Sequence, residues 1–272
     1  MTTEMPYAEV IGDPIAQSKS PLIHKFWLDR LDIKADYRAC HVTPDELPGY
    51  IESRRADPAW RGCNVTIPHK IAMLDLVADP GGVRDKIGAM NTVVRQDDGS
   101  LMGTNTDAAG FLAPIADNDW SGKHAVVIGA GGAARAVLFA LKQAGIAEVT
   151  ILARSGLKAS GLLMQAALKG GVLPMDAKLP EADLLINASP LGMTGQAPLE
   201  VDLDLLPSDC LVYDLVYAPL ETGLLRAAKQ RDLAIVDGLD MLIGQAALAF
   251  ELFFGATPPM EDDDELRKRL LA

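Results

Sequence analysis

The chain has 272 residues, 49% of them hydrophobic and 23% charged, enough to bury the cores of two modest domains and too apolar for a disordered segment. Its formal net charge of −12 removes nucleic acid and anionic membrane surfaces from the expected partners, because both need a basic face. The apolar runs at 125–130 and 211–217 fall well short of the roughly 20 residues of a membrane span, and the N-terminus shows no basic-then-apolar leader pattern. Cys40, Cys63 and Cys210 are odd in number and form no CxxC pair, so they read as reduced core residues. The expectation is a soluble cytoplasmic protein, monomer or homodimer, with a small-molecule partner.

Short apolar runs alternate with amphipathic stretches from end to end, the pattern of an α/β protein with mainly parallel sheets. Strands are predicted at 7–12, 36–42, 61–65 and 90–95, with helices at 21–31, 44–55 and 69–77. Further strands are predicted at 124–129, 148–153, 172–175, 183–187, 211–214 and 233–236. Met241, Leu242, Ala246, Leu248, Ala249, Leu252 and Phe253 recur at helical spacing and place a long helix at 240–254. The acidic run from Glu261 to Glu265 reads as a solvated tail.

Four polar segments interrupt the first part. In Gly12-Asp13-Pro14-Ile15-Ala16-Gln17-Ser18-Lys19-Ser20-Pro21, Ser20 suits an N-cap and Pro21 the first helical position. Capping leaves Ser18 unexplained, and two hydroxyls at a helix start make a cradle for a carboxylate. In Gly62-Cys63-Asn64-Val65-Thr66-Ile67-Pro68-His69-Lys70, a strand ends and a helix is expected to begin with Pro68 in its first turn. That places Lys70 beside a positive helix end, which favours the neutral amine over ammonium and suits a general acid/base; the alternative is a solvated surface lysine. Gly88-Ala89-Met90-Asn91-Thr92 and Gly103-Thr104-Asn105-Thr106-Asp107 are small, polar turns beside apolar runs. Asp107 precedes a helical pattern, so it reads either as an N-cap or as a carboxylate that accepts a substrate hydroxyl and orients Lys70.

The strand run His124-Ala125-Val126-Val127-Ile128 feeds into Gly129-Ala130-Gly131-Gly132-Ala133-Ala134-Arg135, a GxGxxA turn opening a helix. Gly129 permits the tight turn, Gly131 lets a pyrophosphate approach the backbone, and Ala134 lets the helix lie close to the sheet. The helix amides and dipole attract the phosphates. An NAD site usually carries an acidic residue about 20 positions later. Here the strand ends at Arg154-Ser155, with Lys158 following, so two cations and a hydroxyl surround the expected 2′-phosphate and NADP is favoured. The alternative is that Arg154 and Lys158 are ordinary surface charges. The histidines His24, His41, His69 and His124 show no ligand spacing with the cysteines, so no metal site is expected.

Together these segments resemble those of the shikimate dehydrogenase family: the SKSP segment with Ser18 and Ser20, NVTIPHK at 64–70, GAMNT at 88–92, NTD at 105–107 and the GAGGAAR loop. The resemblance continues through Asn187-Ala188-Ser189-Pro190-Leu191-Gly192-Met193, Tyr213-Asp214-Leu215-Val216-Tyr217-Ala218-Pro219 and Gly238-Leu239-Asp240-Met241-Leu242-Ile243-Gly244-Gln245, spanning about residues 8–255. It implies a substrate domain of residues 1–107 plus 239–272 and a Rossmann NADP domain of residues 108–238, with the active site in the cleft. It further implies Lys70 and Asp107 as the catalytic pair, and Ser18 and Ser20, with Tyr217, as ligands of the substrate carboxylate. Thr66, Asn91, Asp107 and Gln245 would hold ring hydroxyls. On the cofactor side it implies the loop Gly129, Ala130, Gly131, Gly132, Ala133 and Ala134, together with Arg154, Ser155, Lys158, Ser189, Val216, Gly238 and Met241.

The chain departs from the family pattern at Ala153, where asparagine is common, at Ser155 and Ser189, where threonine is common, and at Ala108, where glycine is usual. The implied activity is NADP-dependent hydride transfer between 3-dehydroshikimate and shikimate. Quinate/shikimate and aminoshikimate dehydrogenases of the same superfamily, some using NAD, remain open. So does a non-catalytic sensor on the same fold, although that reading predicts loss of Lys70 or Asp107 and a DNA-binding segment.

Overall fold

The computed structural model describes residues 5–271. The chain divides into two compact units, Met1–Thr106 with Gln245–Ala272, and Asp107–Gly244. In the first unit, β1 (Tyr7–Gly12), β2 (Asp36–His41), β3 (Trp60–Val65), β4 (Thr92–Arg95) and β5 (Leu101–Thr104) form one sheet in the order β2-β1-β3-β4-β5. The first three run parallel, whereas β4 runs against β3 and β5 against β4. This mixed sheet therefore brings the ends of β1, β3 and β5 and the start of β4 to one edge. The pairs Ile11↔Val65, Asn64↔Thr92 and Thr92↔Thr104 fix that row.

The two faces of this sheet hold different chemistry because side chains alternate along each strand. Tyr37 of β2 stacks on His24 of α1 (Ser20–Arg30), ring centroids 3.9 Å apart, and Trp27, Phe250 and Phe253 complete the cage. The opposite face buries Glu9 of β1, which α2 (Leu47–Arg55) covers with Tyr50 and Arg54.

His24 is wholly buried, and neither ring nitrogen meets a hydrogen-bonding group among the described residues. Burial pushes its imidazole down to about 3. In the unfolded chain the ring titrates near 6.5, so below that pH the unfolded state takes up a proton that the folded state refuses. This contribution to stability is complete above about pH 6.5 and is lost as the pH falls towards the folded value. Between pH 7 and pH 5 the loss should be roughly 2 kcal/mol. Urea midpoints at the two pH values should show this drop in the wild type and lack it in His24→Phe; equal acid sensitivity of the two proteins would remove His24 as its source.

Several expected elements differ in the structure. The helix expected at 69–77 is a series of turns with one 3₁₀ segment, Ala72–Asp75, and Pro68 follows Ile67 through a cis peptide. Long-range hydrogen bonds hold this segment out of a helix: Thr66 N donates to Ile11 O at 3.0 Å, Asp13 N to Ile67 O at 3.1 Å, and the His69 ring contacts Val42 O at 2.7 Å. The acidic tail is also structured, as a 3₁₀ turn, Met260–Asp262, and a helix at Asp263–Leu271. That helix buries Leu266 and Leu270 and pairs Glu265 with Arg30, while its acidic first turn suits the helix dipole. Between β3 and β4 lies α3 (Val83–Lys86), and neither it nor β5 has a counterpart among the expected elements.

In the second unit, β6 (His124–Ile128), β7 (Glu148–Leu152), β8 (Gly170–Leu173), β9 (Leu184–Asn187), β10 (Leu211–Asp214) and β11 (Ala234–Val236) make a fully parallel sheet in the order β11-β10-β9-β6-β7-β8. From the opposite edge this is the doubly wound order 3-2-1-4-5-6. The helices are α4 (Asp107–Leu112), α5 (Gly132–Gln143), α6 (Gly156–Ala166) and α7 (Gly223–Gln230), and α8 (Gly238–Phe254) leads out of the unit. Both faces of β6 and β9 are buried, which explains their unbroken apolar runs. On one face Val126, Ile128, Leu185 and Val212 pack with Leu224, Leu225 and Ala228 of α7. Phe111 of α4 stacks on Tyr213 at 4.9 Å.

The compact units divide at Thr106/Asp107 and Gly244/Gln245, beside the 107/108 and 238/239 boundaries expected from the resemblance. The later return has a packing cause. A Cβ on Gly238 would lie 2.6 Å from Leu215 O, and one on Gly244 would lie 3.3 Å from the Gly110 Cα, so the first turns of α8 lie against the second unit's own backbone. No helix among the described residues is long and apolar enough to cross a membrane.

Candidate active site

The first unit gathers most of the predicted substrate residues at one sheet edge. Ser18 and Ser20 lie just past β1, Thr66 and Lys70 past β3, and Asn91 before β4; Thr106, outside the predicted set, lies past β5. The Gly12 backbone abuts Thr66, whose Cγ2 would be 2.6 Å from a Cβ at that glycine. Lys70 is half-buried, and its carbonyl accepts a 2.8 Å hydrogen bond from Met90 N, which ties the lysine segment to GAMNT. No α-helix begins at His69, so the helix-end electrostatics expected to favour its neutral amine lapse; the lysine is placed by this strand-edge hydrogen bonding.

The expected cap at Ser20 is reversed. Helix α1 has Lys19 at its N-cap and Ser20 as its first residue, and Ser18 Oγ accepts from Ser20 N at 3.3 Å. Ser18 thus serves the backbone and Ser20 is buried, although both hydroxyls remain at the helix start. Asp107 is buried and is the first residue of α4 itself, so it is not a cap preceding the helix.

Asn91 is locked into a buried polar chain. Its Oδ1 accepts from Thr106 N at 2.7 Å and Thr92 Oγ1 at 3.1 Å, and its Nδ2 donates to Thr106 Oγ1 at 2.9 Å. Thr92 Oγ1 accepts from Asn64 Nδ2 at 3.1 Å, and Asn64 Oδ1 accepts from Tyr37 OH at 2.6 Å. A buried amide network of this kind fixes side-chain orientation before any ligand arrives. Tyr37 has no role in the sequence analysis, and Asn64 and Thr92 enter it only within the NVTIPHK and GAMNT motifs; the signal for all three is a polar side chain inside a run otherwise read as buried strand. Gln245 is buried at the start of the first unit's returning segment, and Tyr217, half-buried with its phenol raised by burial, belongs to the second unit.

In the second unit the predicted cofactor residues leave the carboxyl ends of five parallel strands: Gly129–Gly131 after β6, Arg154 and Ser155 after β7, Ser189 after β9, Val216 after β10 and Gly238 after β11. This is where open α/β sheets bind their ligands. Gly129 has φ +110°, and a Cβ there would sit 3.0 Å from Ala188 O, so the tight turn requires glycine. A Cβ on Gly131 would meet nothing within 4 Å, which leaves the surface before the 12-residue α5 open to a phosphate; Ala134 is fully buried. Gly132 and Ala133 form the first turn of α5, and Ala130 lies in the loop before it.

Arg154, Ser155 and Lys158 are all exposed. Ser155 caps α6, accepting from Lys158 N at 3.3 Å, and its hydroxyl proton is still available to an anion. The site therefore fits a dinucleotide with a charged 2′ substituent. Beyond the prediction, Asn187, Asp214 and Thr222 join the β9 and β10 exits through buried hydrogen bonds.

A doubly wound sheet with a glycine turn at its first strand, joined in one chain to a separate mixed-sheet unit carrying the polar edge, defines a two-domain enzyme fold of the Rossmann dehydrogenase type. Comparison with known proteins narrows it. Residues 10–93 match the shikimate dehydrogenase substrate binding domain and residues 238–263 the shikimate 5′-dehydrogenase C-terminal domain. A shikimate dehydrogenase (NADP(+)) of Sphingopyxis alaskensis is 67% identical over 98% of this chain and 97% of its own. Among solved structures, shikimate 5-dehydrogenase from Thermus thermophilus in complex with NADP(H) and shikimate has a TM-score of 0.86 at 38% identity, covering 98% of this chain and 100% of that one. A ligand-free 5-ketofructose reductase of Gluconobacter sp. strain CHM43 has a TM-score of 0.88 at 29% identity, covering 98% and 99%. The chain belongs to the shikimate dehydrogenase family.

Proposed function

We propose that this chain reduces 3-dehydroshikimate to shikimate reversibly with NADPH. The substrate is carried over from the Sphingopyxis relative, matched along nearly its whole length. The cofactor reading rests on the β7 exit, where Arg154, Ser155 and Lys158 stand in place of the acidic residue of an NAD site. Most substrate contacts are assigned to the first unit, with Asp107 and Tyr217 supplied by the second, and cofactor binding is assigned to the second. NADPH, when bound, supplies the hydride.

The chain's own residues do the rest. Ser18, Ser20 and Tyr217 hold the carboxylate, and Thr66, Asn91 and Gln245 hold ring hydroxyls. As negative charge develops on the C3 oxygen, Lys70 delivers a proton from Nζ, and Asp107 accepts a ring hydroxyl and orients the lysine. In the reverse direction Lys70 takes the C3 hydroxyl proton.

The test is a panel of shikimate and quinate, each with NADP and NAD. Turnover is expected with shikimate and NADP; preference for quinate or NAD would overturn the reading. Within it, Arg154→Ala should raise the KM for NADP roughly 10- to 100-fold, the loss of one charge-assisted hydrogen bond, and leave NAD kinetics little changed. Equal effects on both cofactors would show that Arg154 does not meet the 2′-phosphate.

A further inference from the structure

The second unit buries one carboxylate that the proposed chemistry does not use. Asp214, the last residue of β10, has no exposed surface. Its Oδ1 accepts from Asn187 Nδ2 at 2.8 Å and from Val216 N at 3.0 Å, and its Oδ2 accepts from Thr222 Oγ1 at 2.6 Å. Each donor belongs to a different segment: the β9 exit, the β10 exit and the cap of α7.

The contacts continue outward from Asn187. Its Oδ1 accepts from Ser189 Oγ at 2.7 Å and Ser189 N at 3.1 Å, and its Nδ2 also donates to Leu191 O at 3.0 Å. Ser189 Oγ accepts from Leu191 N at 3.2 Å, and Thr222 Oγ1 accepts from Leu225 N at 3.2 Å. Every polar atom of the Asn187 and Asp214 side chains is therefore engaged.

An ionised carboxylate removed from water is costly, and a leucine would close the sheet edge without that cost. Burial raises the Asp214 carboxyl, against the opposing effect of its three donors. What an apolar side chain cannot do is accept from three chain segments at once. Packing offers little substitute here, because a cavity of about 220 Å³ lined by Asp214, Thr222, Gly192 and Leu224 adjoins the carboxylate.

We propose that Asp214 is a positioning residue for the cofactor, its carboxylate binding the turn that carries Ser189 and the strand exit that carries Val216 into one rigid seat for the dinucleotide. The inference rests on the reading of Ser189 and Val216 as cofactor contacts. Asp214 itself touches no reacting atom.

The experiment is calorimetric titration of the full-length protein with NADP⁺, with thermal melts and steady-state kinetics alongside. Asp214→Asn keeps the shape but removes the charge and one acceptor, and should weaken NADP⁺ binding roughly 10-fold, with kcat at saturating NADP⁺ within about twofold. Because Asp214 acts through Asn187 on Ser189, Asp214→Asn combined with Ser189→Ala should weaken binding by less than the product of the two single effects. A folded Asp214→Asn with unchanged NADP⁺ affinity, a lowered Tm with unchanged affinity, or strict additivity in the double variant overturns the proposal. If Asp214→Asn does not fold, the Thr222 pair decides: Thr222→Val should weaken NADP⁺ and Thr222→Ser should restore it, whereas unchanged affinity in Thr222→Val overturns it. A wild-type protein that binds no NADP⁺ removes the cofactor reading and this inference together; wild-type binding with an unaltered variant removes only the inference.

Discussion

Lys70→Ala is expected to lower kcat by about 10² to 10⁴-fold, the usual contribution of a positioned general acid/base. The NADP⁺ Kd and the Tm should stay close to wild type, because the segment is anchored by backbone atoms that the substitution leaves in place: Met90 N to Lys70 O at 2.8 Å and Thr66 N to Ile11 O at 3.0 Å. Single-turnover measurements with preformed enzyme–NADPH separate the chemical step from binding. Near-normal turnover in the folded variant would remove Lys70 from the mechanism. Lys70→Arg provides the sharper contrast, since a guanidinium keeps the charge but does not give up its proton at neutral pH.

The second large effect lies away from the polar edge, in the stability of the first unit. Glu9 is 2% exposed in the middle of β1. Its carboxylate accepts from Tyr50 OH at 2.7 Å, Trp60 Nε1 at 3.1 Å and both Arg54 Nε and Nη2, at 2.7 and 3.1 Å. Arg54→Ala leaves that carboxylate buried with its principal cation gone and should cost about 3–5 kcal/mol of unfolding free energy. The pair itself contributes much less than this, because both charges were taken out of water to form it. Combining Arg54→Met with Glu9→Leu should therefore recover a large part of the loss, as a urea series on the single and double variants would show. A double variant as unstable as Arg54→Ala would mean that packing, and not the stranded charge, sets the cost.

Local signals made much of the second unit legible. The strand His124–Ile128, its glycine turn and the helix after it are contiguous in sequence, and each needs only its own neighbours to be recognised. The same holds for the strands ending at Leu152, Asn187 and Asp214. The first unit was harder where distant partners decide the backbone. A proline after a strand looks alike in sequence whether it opens a helix or sits in a turn, and at Pro68 the choice is made by hydrogen bonds from Thr66 and to Ile67 that join residues over 50 positions apart. The four-residue β5 lacked enough length for an alternation pattern. Charge alone makes the acidic stretch a solvated tail, although Leu266 and Leu270 behind it carry the helical spacing that buries them.

Site residues followed the same division. The candidate ligand-facing side chains are suggested by motif, but the residues that hydrogen-bond behind them, Tyr37 and Asn64 on one unit and Asn187, Asp214 and Thr222 on the other, depend on strand order and register. Neither is visible until strands distant in sequence are paired.

The chain's division also sets an order of assembly at the ribosome. The second unit is one uninterrupted stretch, Asp107–Gly244, and can complete its sheet from residues synthesised together. The first unit cannot, because Phe250 and Phe253, which close the aromatic cage over His24 and Tyr37, are made only after the whole second unit. At typical elongation rates the nascent N-terminal sheet waits on the order of 10 seconds for them. Throughout that interval the aromatic face of α1 and β2 lacks the cover of Phe250 and Phe253, and transiently exposed apolar surface of this kind is what makes incomplete chains prone to aggregate.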